Sequence, residues 1–354
     1  MVSSLRLVNF RCFDALALDF PESGVVIVGA NARGKTSILE AVCVLVRLQS
    51  PRSNRLGKIV QVDQAGFGVA GKAWESELQV SFGSRKGVEM KVDDELVPRQ
   101  SDYLSMGGLV VWMGNDDLEL VRGSGRVRRR YLDFIGCQLD PAYRDHLNRY
   151  QRVLKARNLL LKDRVLREPE IAAYSELLIK HGEFISASRA KLVQMLNPET
   201  VRAQHQVSAC DERVAITYVC GSGDDLATSL EMTAARERRV GQTVVGPHRD
   251  ELQLTINGMA AADFASEGQQ RTMALSLKLA QGELLHSQTG RMPVYLLDDI
   301  FGELDPDRRN ALMTALPAKA QKLITTTNID WMKGEFEVIE MAGLGKVRSG
   351  SDSQ

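Results

Sequence analysis

The spacing of hydrophobic residues changes period several times along this chain. Near the N-terminus "SLRLVNFRCF" and "ALALDF" alternate apolar and polar positions and predict two short strands, and the unbroken run Val25, Val26, Ile27, Val28 predicts a third, buried one. From Thr36 to Leu48, the residues Ile38, Leu39, Val42, Leu45 and Val46 recur at helical spacing. "FGVAGKAW", "ELQVSFG" and "GVEMKVDDELV" return to alternation with glycines at the turns, which predicts a small antiparallel meander. Between about Asp140 and Pro198 glycine nearly vanishes, and two long helical patterns meet at a short polar link around residues 164–169. They predict either an antiparallel helix pair projecting from a head or a helical layer lying flat on it. After Val207, "RVAITYVC", "QTVVG" and "ELQLTING" read as strands. A helix over 267–285, a buried strand "PVYLLDD", a helix from Pro306 and a strand "KLITTT" follow. Strands alternating with helices imply a parallel sheet with crossovers, hence an α/β fold. Residues 346–354 read as a disordered tail.

Composition narrows the partners. Lys plus Arg and Asp plus Glu number 45 each, for zero formal net charge, so any nucleic acid would have to be held by a local basic patch. The five cysteines form no C-x-x-C pair and read as reduced thiols of a cytoplasmic protein. The first ten residues resemble a strand and not a signal peptide, and no apolar run reaches the roughly 18 residues of a membrane helix.

The strongest chemical signal is "GANARGKT". Gly29 and Gly34 bracket four residues ahead of Lys35 and Thr36, between a buried strand and a helix. Backbone N–H groups of such a loop converge on phosphates, Lys35 suits the β/γ-phosphates, and the Thr36 hydroxyl suits Mg²⁺. An apolar strand ending in carboxylates would complete the site. "VYLLDD" supplies Asp298, suited to hold Mg²⁺ through water, and Asp299, suited to orient or deprotonate an attacking water. The plain alternatives are a glycine-lysine turn and the solvated start of a loop. Ser266 is a good N-cap for an otherwise ordinary core helix.

Ser266-x-Gly268-Gln269 ahead of that helix resembles the signature of ABC-type ATPases, and its distance from Lys35 fits the split heads of the SMC class. Over nearly the full length the chain is similar to the RecF family of bacterial recombination mediators. The likeness is carried by "LRLVNFRCFDALALDF", "LVRGSGRVRRRYLD", "VVGPHRDEL", "ASEGQQRTMALSLKLA", "LLDDIFGELDPDRR" and "ITTTN". The resemblance implies an ABC/SMC-type P-loop head made from residues 1–110 and 205–345, with a helical arm domain at 111–204. It implies a weak ATPase that uses ATP and Mg²⁺, dimerises around the nucleotide and grips double-stranded or gapped DNA. It also implies work with RecR and RecA, with no membrane. Arg11, Asn31 and Ser37 would join Gly29, Gly34, Lys35 and Thr36 around ATP. Ser266, Gly268, Gln269 and Asp305 would act across the dimer interface, and Thr327 would lie near the switch position.

Three departures from the family pattern affect rate and dimer affinity. Ala32 stands where glycine is usual, Glu267 replaces a usual glutamine, and "WMGNDDLEL" leaves the Q-loop sensing residue unplaced. The run Arg122, Arg126, Arg128, Arg129 and Arg130 reads either as a DNA-facing patch or as arginines that pair with acids and brace the arm. Lys155, Arg157, Lys162 and Arg164 read as a solvated helix face, and His248 and Arg249 as turn residues or functional ones. Two rival readings remain at this stage: a transporter ATPase subunit, and a DNA-binding protein with a nearly inactive ATPase site.

Overall fold

The computed structural model describes residues 1–53, 55–163, 165, 167–208, 211–331 and 336–343, so the expected disordered tail and Arg164 lie outside the described residues. The chain forms two compact units, one of Met1–Asn115 with Leu285–Gln354 and the other of Asp116–Leu284.

The first unit begins with β1 (Ser4–Phe10), β2 (Phe13–Asp19), β3 (Gly24–Val28) and α1 (Lys35–Arg47). Next come β4 (Gly66–Ala73), β5 (Ser76–Gly83), β6 (Gly87–Val92), β7 (Glu95–Leu96), α2 (Gln100–Met106) and β8 (Val110–Gly114). Its C-terminal part supplies β12 (Val294–Asp298), α10 (Pro306–Ala315), β13 (Lys322–Thr326) and β14 (Glu337–Glu340). The period-two segments become an antiparallel sheet in the order β2-β1-β4-β5-β6-β7. The apolar runs become a second sheet, β14-β3-β13-β12-β8, whose pairings are all parallel. Each residue of β8 and β13 is buried, as expected for parallel strands covered on both faces. α1 packs against β4 and β5 of one sheet and β8, β12 and β13 of the other. That is why every α1 residue except Thr36 is buried, a pattern that polar Glu40 and Arg47 survive only by being paired. β8 was not expected from the sequence, although its five residues are all buried.

The second unit holds α3 (Glu119–Arg122), α4 (Gly125–Leu139), α5 (Pro141–Leu160), α6 (Glu168–Val207), β9 (Val214–Val219) and α7 (Leu226–Val240). It continues with β10 (Glu251–Ile256), β11 (Met259–Ala260), α8 (Ala261–Phe264) and the start of α9 (Glu267–Thr289). α5 and α6 are the two long helices expected, and α6 is 40 residues, about 60 Å, in length. Asp140 caps α5 by accepting from Ala142 N, with Pro141 in the first turn. Tyr143, Tyr150, Val153, Leu178, Ile185, Leu226 and Leu230 form the core between α5, α6 and α7. β9, β10 and β11 make an antiparallel sheet in the order β11-β10-β9, not an extension of the parallel one.

Two features differ from the sequence-based expectation. "QTVVG" is not a strand, because its polar groups are claimed by helix side chains: Asn158 Oδ1 accepts from Thr243 N at 2.7 Å, and Glu237 Oε1 accepts from Val244 N at 2.9 Å. Described residues between 211 and 284 fall in one unit with the long helices, where a return to the head is expected from 205 onward. The reason is a buried ionic junction. Arg189 of α6 donates to Asp250 Oδ2 and Pro247 O, both at 2.7 Å, and to Asp133 of α4 at 2.7 Å. Asp250, fully buried, also accepts from Tyr218 Oη at 2.5 Å and Gly221 N at 2.8 Å. In "GPHRD", therefore, the aspartate is an anchor for the arm.

His248 is structural as well. Its Nε2 lies 3.1 Å from the Thr243 carbonyl, which can only accept, so Nδ1 carries the lone pair and receives the Tyr150 hydroxyl at 2.7 Å. Burial, aided by the charges of Arg249, Arg129 and Arg157, pushes the imidazole down to about 4.

Asp250→Ala leaves the Arg189 charge buried against a lost partner and is expected to destabilise the second unit by about 3–5 kcal/mol, measured as a shift in urea unfolding. Because His248 is neutral in the fold while the unfolded chain protonates near 6.5, its contribution is complete above pH 6.5 and is lost as pH falls toward about 4. The urea midpoint should therefore fall more steeply over that window in the parent than in His248→Gln.

Candidate nucleotide site and signature turn

β3 ends at Val28 and the chain turns through an exposed crown, Ala30 to Arg33, before α1 starts at Lys35. Two backbone positions make the turn. Gly34 has φ +89°, and a Cβ there would sit 2.6 Å from both Cys12 Sγ and Phe13 Cζ, so only glycine fits. Ala32 adopts φ 62°, the left-handed conformation its position demands, at a cost of about 1 kcal/mol relative to glycine. Lys35 is buried and its Nζ folds back to donate to the carbonyls of Gly29 (2.6 Å) and Ala30 (3.0 Å). Burial pulls its ammonium below the ordinary value, while Asp299 and Asp298 act in the opposite sense.

The second half of the site arrives on β12. Asp298 lies opposite Thr325 of β13 and Gly114 of β8. Its Oδ1 accepts from Thr36 Oγ1 and from Thr325 Oγ1, each at 2.8 Å, so one carboxylate oxygen ties the phosphate loop to the sheet. Burial raises its carboxyl, and the two hydroxyl hydrogen bonds oppose that rise. Asp299 turns away with φ 52° and donates its N–H to Thr325 O at 3.1 Å. Its Oδ1 is buried and receives no hydrogen bond from the protein. Burial raises this carboxyl too, against the Lys35 charge and the Thr327 backbone amide.

A threonine hydroxyl, a carboxylate and an unsatisfied carboxylate oxygen are all hard oxygen donors, which suits a Mg²⁺–nucleotide.

The other residues singled out in the first unit fall around this junction or brace it. Ser37 is buried in the first turn of α1, and Asn31 is exposed on the crown. Thr327 is exposed and its amide faces Asp299. Asp305 caps α10, accepting from Arg308 N at 2.9 Å. Arg11 is committed to the fold: its guanidinium grips both oxygens of fully buried Glu40 at 2.8 and 2.7 Å and donates to Lys58 O at 3.0 Å. Sequence reasoning missed Arg52, whose charge acts on Asp298 and which lies 3.9 Å from Glu40. A signal was available in the arginine that follows shortly after the end of α1.

The signature turn belongs to the second unit and is built by its own side chains. Ser266 and Gln269 cap reciprocally: Ser266 N donates to Gln269 Oε1 at 2.7 Å, and Gln269 N to Ser266 Oγ at 3.3 Å. Thr272 Oγ1 closes on Gly268 O at 2.9 Å. Glu267 is neutralised by Arg271 (3.0 Å) and Arg122 (3.4 Å), which hold its carboxyl below the usual range.

The basic run is largely spoken for. Arg128 grips Glu251 at 2.6 and 2.9 Å, Arg129 donates to Asp250 O at 2.6 Å, and Arg122 pairs at the signature helix. Arg126 and Arg130 are exposed on α4, and Arg130 is also engaged in an interaction of its own. In the first long helix, Arg157 is buried against Glu237 at 2.7 Å, whereas Lys155 and Lys162 are exposed.

Lys35→Ala is expected to abolish nucleotide binding. Gly34→Ala, which adds only a methyl group, should weaken it at least tenfold through strain and the clash with Cys12 and Phe13. Titration with a fluorescent nucleoside triphosphate measures both, and near-parental affinity in either variant would remove the loop from the site.

A protein-family model described as an AAA domain matches residues 4–197. The DNA replication and repair protein RecF of Synechococcus sp. (strain JA-3-3Ab) is 36% identical over 359 residues, covering 96% of this chain and 93% of the relative. A solved structure of the recombination mediator protein RecF with ATP, from the RecFOR pathway, superposes with a TM-score of 0.86 at 27% identity, covering 98% of this chain and 97% of the other. An Smc head domain from Pyrococcus furiosus, with an extended coiled coil and bound to part of ScpA, matches in fold alone, at TM-score 0.50 and 15% identity over 92% of this chain and 89% of the other. With the loop, the acidic strand and the signature turn in place, the chain belongs to the RecF family of DNA replication and repair proteins.

Proposed function

We infer that this protein is an ATPase of recombinational repair, which binds ATP with Mg²⁺, dimerises around the nucleotide and holds DNA while closed. The observation that carries the reading is the shared oxygen of Asp298, which joins the phosphate loop to the acidic strand beside an unsatisfied Asp299 oxygen. Lys35 would exchange its two loop carbonyls for phosphate oxygens. Thr36 and Asp298 would hold Mg²⁺, which supplies charge neutralisation on the phosphates. Asp299, with its carboxyl raised and one oxygen free of protein partners, suits the task of orienting the attacking water and accepting its proton.

Ser266, Gly268 and Gln269 would complete the site of a second copy, with Asp305 at the same interface. ATP binding then drives assembly, and slow hydrolysis releases it. A ligand that binds only the dimer stabilises it by about 2.7 kcal/mol per site at a hundredfold excess over its Kd, enough with two sites to turn weak self-association into a closed pair. The full-length likeness to RecF supports loading of RecA at gapped or damaged DNA together with RecR. The exposed Arg126 is the member of the basic run best placed to touch phosphate.

Light scattering on Asp299→Asn, with and without ATP and Mg²⁺ and then with gapped duplex DNA, tests this. A monomer that doubles in mass only with ATP and then retains DNA is the expected result. An ATP-bound monomer would overturn the dimer mechanism.

A further inference from the structure

The arginine run that the sequence offers to DNA contains a residue with a different task. We propose that Arg122 is a positioning residue for the signature turn, acting through Gln270. This rests on the reading above for the consequence it has on ATP, though not for the local geometry.

Gln270 is the second glutamine of "GQQRT", 4% exposed, and it faces backward from the first turn of α9. Its Nε2 is shared among the carbonyls of Ala261 (3.0 Å), Ala262 (3.2 Å) and Ala265 (3.1 Å) at the short helix α8, where Ala261 O also accepts from Ala265 N. Three acceptors on one side fix the amide's orientation, so Oε1 must point the other way and needs a donor. That donor is Arg122 Nε. The second arm of the same guanidinium reaches Glu267 at 3.4 Å. Glu267 and Gln270 are three residues apart on one helix face, so a single planar fork grips both and sets the rotation of the first turn of α9. Ser266 and Gly268 lie within that grip, and their hydroxyl and amide directions follow from it.

Arg122 is itself held. It is the last residue of α3, and Arg128 Nη1 closes that helix's free carbonyls at Gly123 O (2.7 Å) and Leu120 O (3.3 Å) while its other nitrogens chelate Glu251. Thus the fork that sets the signature turn is anchored on β10.

Amide hydrogen exchange over residues 261–272, read by mass spectrometry on the ATP-free full chain, tests the local claim. Arg122→Ala should speed exchange there about tenfold, Arg122→Lys should restore part of the protection, and Gln270→Glu, which keeps the Arg122 pairing and loses the amide donor shared by the three carbonyls, should also speed it. Circular dichroism and urea unfolding identify any variant that fails to fold, and the remaining variants then decide. In the Asp299→Asn background, Arg122→Ala should weaken the ATP-driven dimer about tenfold while the nucleotide affinity of the monomer stays within about twofold. In the otherwise parental chain it should lower kcat for ATP and leave the slope of DNA affinity against salt unchanged. Unchanged exchange in folded variants overturns the proposal. A salt slope reduced by about one, with normal exchange, makes Arg122 a phosphate contact instead. Faster exchange in a protein whose parent never dimerises upholds the positioning role and removes the trans role of the turn.

Discussion

One oxygen atom organises the first unit. Asp298 Oδ1 accepts hydroxyls from Thr36, at the start of α1, and Thr325, on the neighbouring strand, so the loop, the helix and the sheet meet at a single buried acceptor. A carboxylate in such a place is costly unless its charge is answered, and two neutral hydroxyls answer it only in part. Lys35 lies near enough for Asp299 and Asp298 to raise its ammonium against the effect of burial. Structure and chemistry are therefore not separable here: the polar atoms that align β12, β13 and α1 are also those suited to phosphate and magnesium.

The second unit uses charge in the opposite manner. Arg189, Arg157 and Arg128 are turned inward and satisfied by Asp133, Asp250, Glu237 and Glu251. Zero net charge thus does not describe a bland surface, because many cations of this unit are structural and the exposed remainder differs from the sum. The same accounting applies to Glu267 at the signature turn. Arg122 and Arg271 remove its charge locally.

Local chemistry was legible in the sequence and distant partnership was not. Gly34, Lys35 and Thr36 announce themselves because the loop is made by consecutive residues, and β12 with Asp298 is readable from one apolar run. The strain at Ala32 followed from residue type alone. By contrast, Arg128 could not be assigned without Glu251, 123 positions away, and the pairing of Arg11 with Glu40 could not be read from the sequence. "QTVVG" has strand composition, yet Asn158 and Glu237 take its hydrogen bonds, and the contiguous arginines of α4 masked a helix with buried Tyr131, Leu132 and Ile135. Gln270 was hidden inside a motif whose neighbours had drawn the attention.

The strand order of the parallel sheet also bears on how the protein is made. β3 pairs only with β13 and β14, and β8 only with β12, among the described strands. A ribosome that has released β3 and β8 has therefore delivered two apolar strands whose hydrogen-bonding edges have no partners until β12 and β13 follow. Such long-range closure is slow and leaves sticky edges waiting. Nascent chains of this protein should depend on chaperone cover over that interval, and the junction of Thr36, Asp298 and Thr325 can form only after β12 and β13 have left the exit tunnel.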